Sequence, residues 1–139
     1  MGRARNGMLV ALALLVGALL LSAAAAEAAR RPTPKEAVAI KRLALDACRS
    51  PAGPCRYHGA RISTRNPRFA WAEVTNEGFS AVLLKRPRRS GTAFRVIGTQ
   101  GGGIATCAYW RRRAPKPVLR DLRIGGVLNA QTGASGRCG

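Results

Sequence analysis

Hydrophobic positions along this chain change their spacing from one stretch to the next, and each spacing predicts a different kind of element. From Met8 to Ala26 there is no charge, and apart from Ser22 the run is apolar; Arg3 and Arg5 precede it. Small side chains close the run. Ala24-Ala25-Ala26 and Ala26-Glu27-Ala28 both place small residues one and three positions before a cut. This is the pattern of a secretory signal peptide, with cleavage expected after Ala26 or Ala28, the second being favoured. The arginines are not adjacent, which argues against a twin-arginine signal. The alternative is a retained single-span anchor, because roughly 17–25 apolar residues cross a bilayer.

Beyond this segment the period becomes helical. Thr33-Pro34-Lys35-Glu36 has the form of a capping box, with a hydroxyl at the N-cap, proline at the first helical position and glutamate three residues on. Ala37, Ile40, Ala44 and Ala47, with Leu43 beside them, share one face, so an amphipathic helix is predicted from about Pro34 to Arg49. Arg30 to Pro32 reads as an unstructured lead-in.

The pattern then turns extended. Short strands are predicted at Ala60 to Thr64, Phe69 to Val74, Phe79 to Leu84 and Thr92 to Gly98, with a last one at Ala105 to Arg111 around Cys107. Phe69 and Trp71 would share one face of their strand, and Ala70, Ala72 and Val74 the other. Asn76-Glu77-Gly78 is a hairpin turn signal. Pro115 to Leu122 is a short helix candidate, and the tail after Gly125 reads as loosely ordered. The predicted class is therefore α+β: one N-terminal amphipathic helix packed on a meander of roughly three to five antiparallel strands, a short C-terminal helix, and disulfide staples. By analogy, a sheet curved around its first helix, as in cystatin or NTF2-like folds, suits this order. Residues 1–28 form the signal peptide and 29–139 one small domain, its ordered core expected over about 33–123.

Charge changes the picture most. The chain carries 24 basic and 6 acidic residues, a formal net charge of +18, and 20 of the basic residues are arginine. Cleavage after Ala28 removes Arg3, Arg5 and Glu27 and leaves +17. A surface of this kind attracts polyanions without selecting among them. Four cysteines in an exported chain argue for two disulfides, for which three pairings exist. Cys48 with Cys55 and Cys107 with Cys138 is the first choice, since the Pro/Gly-rich loop from Cys48 to Cys55 closes easily. The cysteines lack the C-x-x-C spacing of zinc sites, and the single histidine is His58; no metal or other cofactor is expected.

The inventory of catalytic groups is thin. His58 sits in a polar loop with no acid close in sequence, unlike the base of a hydrolytic triad. Glu36, Asp46, Glu73, Glu77 and Asp121 are too few among so many arginines to suggest a free carboxylate pair. Gln100-Gly101-Gly102-Gly103-Ile104 lacks the lysine and hydroxyl of a phosphate loop and reads as a strand connection. Two basic clusters remain as candidate polyanion-binding residues. The first is Lys85, Arg86, Arg88 and Arg89 on a hairpin turn. The second is Trp110 with Arg111, Arg112 and Arg113, beside Tyr109, and it continues through Lys116, Arg120 and Arg123. Arginines next to an indole can grip phosphate while the ring stacks or rests at a membrane interface.

A resemblance rests on Ile62-Ser63-Thr64-Arg65-Asn66-Pro67-Arg68-Phe69-Ala70, then Phe94-Arg95-Val96-Ile97 and Cys107. Ala114-Pro115 and Val118-Leu119-Arg120-Asp121-Leu122 complete it. Over about Thr33 to Leu122 the chain resembles a group of small secreted proteins from high-GC Gram-positive bacteria that carry no assigned function. The resemblance implies export and a single domain, and transfers no site. The expectation is a secreted, non-enzymatic binding module whose basic surface meets anionic envelope polymers or an acidic partner protein. The alternative is a secreted, disulfide-stabilised enzyme inhibitor. No specific nucleic-acid partner is expected, and a membrane only if the N-terminal segment is uncleaved.

Overall fold

The computed structural model describes residues 29–49, 53–101, 103 and 105–139. The expected signal peptide lies outside the described residues. Helix α1, Pro34–Ala47, begins at the capping box: Glu36 N donates to Thr33 Oγ1 (3.4 Å), and Thr33 N donates to the Glu36 carboxylate (2.9 Å). Both bonds satisfy amides that the first turn leaves without partners. Cys48 caps the other end, its amide donating to Ala44 O. The lead-in is ordered rather than loose. Arg30 exchanges two backbone hydrogen bonds with Ile62 (2.8 and 2.9 Å), because the bond between its guanidinium and Glu36 holds it against the first strand.

Four strands follow: β1 (Arg56–Ile62), β2 (Phe69–Asn76), β3 (Phe79–Lys85) and β4 (Arg95–Gly101). They form one antiparallel meander in the order β1-β2-β3-β4. The turn from β2 to β3 is closed by Gly78 N donating to Asn76 Oδ1 at 3.0 Å, an Asx turn of the kind that asparagine favours. Alternation along β2 and β3 divides the apolar side chains between two cores. Ala70, Ala72, Val74, Val82 and Leu84 pack with Ile62 and Phe94 against Ile40, Ala44 and Cys48 of the helix. Phe69, Trp71, Ala81 and Leu83 face the other way, onto the C-terminal third of the chain. With both sides covered, Phe69 to Ala72 are buried without interruption. The sheet is thus interposed between two layers.

The second layer differs from expectation in two places. Cys107 opens a helix, α2 (Cys107–Arg111), instead of lying on a strand. Thr106 caps it, accepting from Tyr109 N at 3.2 Å. Cys107, Trp110 and Ala114 recur at three- and four-residue spacing and all point into the core, which is the helical period. A short α3 (Lys116–Asp121) follows. The tail is not loose: β5 (Gly125–Asn129) pairs with β6 (Ala134–Arg137), giving a second, two-stranded sheet. Val127 N donates to Ala105 O (3.0 Å) and Cys138 N to Ile124 O (2.9 Å), tying the hairpin to the core. Gly126 is needed there, since a Cβ would lie 2.5 Å from Ala105 O and 2.9 Å from the Cys138 sulfur.

The chain is a mixed α+β protein with antiparallel sheets and two disulfides, Cys48–Cys55 and Cys107–Cys138. No helix among the described residues is long and apolar enough to cross a membrane.

Candidate functional site

Among the described residues no cluster of three His, Cys, Asp or Glu side chains could hold a metal ion. His58 is exposed on β1, its Nε2 2.7 Å from Thr75 Oγ1. Four of the five acids among the described residues are engaged, and Glu77 stands exposed in the β2–β3 turn. Glu73 pairs with Arg61 (2.7 Å) and Asp46 with Arg49 (2.8 Å). Asp121 accepts from Ser63 Oγ and Thr64 N, each at 2.7 Å, and from Arg65 N at 3.2 Å. Glu36 is engaged by two cations, with Arg30 on both oxygens and Arg86 Nη1 on one (2.9 Å). The Arg30 guanidinium, with smaller help from the Thr33 amide and Arg86, holds the Glu36 carboxyl down at about 2 against the effect of burial.

Two of the eight residues expected to bind polyanions are structural instead. Arg86 is 3% exposed: its guanidinium donates to Glu36 and to Gly91 O and lies 5.0 Å from the Phe94 ring. Its guanidinium is committed to the buried carboxylate and the Gly91 carbonyl, though the residue still lines a depression beside Arg88. Trp110 is fully buried, edge-on to Trp71 (5.2 Å) and Tyr109 (4.7 Å). Truncating an aromatic ring in such a core costs about 3–5 kcal/mol; this ring packs the second layer onto the sheet and cannot stack on a ligand. Gly98 of β4 gives it room, for a Cβ there would stand 2.8 Å from the indole and 2.9 Å from Arg113 Cδ.

Arg88 and Arg89 are exposed on the β3–β4 turn, and Arg88 lines a depression there with Pro87 and Ser90. Lys85 parts company with them. It lines, with Arg111, Arg112 and Arg113, an open groove of about 390 Å³. The same groove takes in Arg68, which sequence reasoning did not single out. Arg68 stands at the end of the β1–β2 turn, and nothing local marks it; only the packing of that turn beside the segment after α2 brings it near Arg113. Phe69 and Ala114 form the apolar floor, and Asn66 and Pro115 complete the rim. No acidic residue lines the groove.

Three of the five cations are held at Nε by main-chain carbonyls. Arg68 donates to Arg86 O (3.0 Å), Arg111 to Cys138 O (3.0 Å) and Arg113 to Ile97 O (2.9 Å). Arg113 also lies over the Tyr109 ring at 3.5 Å. Lys85 Nζ sits 5.2 Å above Phe69. Arg113 also spends one terminal nitrogen on Tyr109 O (3.0 Å), whereas Arg68 and Arg111, anchored at Nε alone, keep both terminal nitrogens for a bidentate grip on an oxyanion and lose less freedom when they make it. Each anchor depends on a different element, so folding itself sets the spacing of the cations. Set beside protein-family models, curated proteins and solved structures, the chain matches none of them.

Proposed function

We propose that this protein is a secreted, non-enzymatic binding module that grips an anionic polymer of the cell envelope in the groove of Arg68, Lys85, Arg111, Arg112 and Arg113. One observation carries the reading: three separate segments bring five cations to a single open groove that no acid lines. The two disulfides support an oxidising compartment, and the resemblance to exported proteins supports the envelope as the place of action. A polymer fits better than an acidic protein partner. Interfaces with proteins are anchored by exposed apolar and aromatic residues, whereas the large exposed hydrophobics among the described residues, Val38 and Leu128, line no part of the groove.

The test compares two triple variants of equal charge on immobilised polyphosphate. Arg68→Gln, Arg111→Gln and Arg112→Gln together should lower affinity roughly tenfold or more, the loss expected from several charge-assisted hydrogen bonds. Arg42→Gln, Arg88→Gln and Arg89→Gln together should lower it far less. Equal losses in the two would mean that net charge alone attracts the polymer and that the groove has no special part.

A further inference from the structure

A second cationic depression uses none of the groove's arginines. It measures about 480 Å³, and Arg65, Arg120, Arg123 and Arg137 line it together with Pro117 and Asp121. Four elements or turns contribute: the β1–β2 turn, α3, the residues just after α3, and β6. Asp121 offsets one of these four charges and leaves the lining net positive, its carboxylate being turned toward the β1–β2 turn. Its carboxylate accepts from Ser63 Oγ, Thr64 N, Thr64 Oγ1 and Arg65 N, and the residue is 6% exposed. Among the described residues no acid pairs with Arg120, Arg123 or Arg137. Like charges gathered in a concavity repel one another, and a bound anion of two charges offsets that repulsion.

The backbone adds an independent sign. Arg123 has φ +52, and it alone of the described non-glycine residues has a positive φ. It ends α3 in a Schellman motif: Ile124 N donates to Leu119 O (2.9 Å) and Arg123 N to Arg120 O (3.0 Å), with Leu119 and Ile124 packed in one core. Glycine is the usual occupant of this left-handed position, because a side chain there strains the backbone. Arginine stands here instead, and its side chain lines the depression. Strain kept at a helix end that needs only glycine points to a use for the side chain.

We infer that this depression is a binding site for a phosphomonoester-type dianion, distinct from the polymer groove. Arginine forks match phosphate oxygens bidentately. The volume lies within the roughly 300–1,000 Å³ of small-molecule sites, which leaves space for a small group attached to the phosphate. The same chemistry is offered by free inorganic phosphate and by a terminal phosphomonoester, so both are tested.

The experiment is calorimetric titration of the mature chain with inorganic phosphate and with glycerol phosphate at fixed ionic strength, alongside thermal melts. Arg123→Gly should act in opposite directions on the two readouts. Phosphate affinity falls about tenfold, one lost charge-assisted contact, while Tm rises by about 3–6 °C as the strain is relieved. Arg137→Gln should weaken binding similarly with little change in Tm, and the groove triple variant should bind phosphate as the parent does. Glycerol phosphate binding at least as tightly as phosphate supports a phosphomonoester as the ligand; phosphate binding alone supports the site with the free ion as its source. The inference is overturned if neither ligand binds saturably, if Arg123→Gly raises Tm and leaves affinity unchanged, or if the groove variant abolishes binding. Because the groove and this site share no arginine, failure of one leaves the other standing.

Discussion

Glu36 shows how much one residue can carry. It completes the capping box, clamps Arg30 with both oxygens and neutralises the buried Arg86. Its carboxyl is held at about 2 rather than the ordinary 4.5, so between those values the unfolded chain binds the proton and the folded chain does not. Stability from this group is therefore complete above about pH 4.5 and is lost as pH falls toward 2, by about 2–3 kcal/mol at roughly 1.4 kcal/mol per unit. Denaturant titrations at pH 7, 4.5 and 2.5 should show that fall. Glu36→Gln should start about 3–5 kcal/mol lower at pH 7, because a buried Arg86 is left uncompensated, and should lose most of the dependence between pH 4.5 and 2.5. An unchanged acid limb in the variant would mean that other carboxylates govern acid unfolding. The sequence marks Glu36 as a cap, since the partners of a capping box lie within one turn. It gives no sign of the pairing with Arg86, fifty residues away in the chain, and for that reason Arg86 read as a ligand-binding cation.

At the scale of elements, the C-terminal hairpin is held by few forces of its own. Its turn relies on Asn129 Oδ1 accepting from Gln131 N (2.8 Å) and Thr132 N (3.3 Å), and most of its residues are exposed. The Cys107–Cys138 bridge, closing a separation of 31 residues, fixes it to α2. Chain entropy assigns a loop of that length about 3–4 kcal/mol, against about 2 for the separation of 7 between Cys48 and Cys55. Cys107→Ser with Cys138→Ser should thus lower the urea-unfolding free energy more than Cys48→Ser with Cys55→Ser. It should also raise amide exchange at Val127 and at position 138, whose amides bond back to Ala105 O and Ile124 O. A larger loss from the shorter loop would mean that the hairpin contributes little to the fold. This dependence explains which elements the sequence discloses. Helix α1 and the β2–β3 hairpin carry their signals locally, in a capping box, a two-residue alternation and an Asx turn. Helix α2 was masked because a short apolar stretch fits strand and helix alike, and the Thr106 cap decides between them. β5 and β6 are rich in glycine with only Val127 and Leu128 to mark a strand; their pairing is imposed from outside, by the disulfide and the contact with Ala105.

At the scale of the whole molecule, a net charge of +18 makes folding and binding two faces of one electrostatic problem. Packing the cations onto a small surface raises their mutual repulsion relative to the unfolded chain, so the ligand-free protein is destabilised by its own charge. Salt screens this: the Debye length is about 10 Å at 0.1 M and about 3 Å at 1 M. Raising NaCl from low millimolar concentrations to about 0.3 M should therefore raise Tm in the absence of any polyanion. A polymer bound only by the folded state stabilises it through mass action, yet the same screening weakens the attraction that holds it. The two effects have opposite signs. Thermal melts with and without polyphosphate should differ most at low salt and converge by about 0.5 M, while the ligand-free curve climbs. In the groove triple variant the ligand-free curve should climb less steeply, having fewer like charges, and the gain from polyphosphate should be the smaller of the two even at the lowest salt. A polyphosphate gain that survives at 0.5 M would mean that contacts other than charge hold the polymer, and the apolar floor of Phe69 and Ala114 would be the place to seek them.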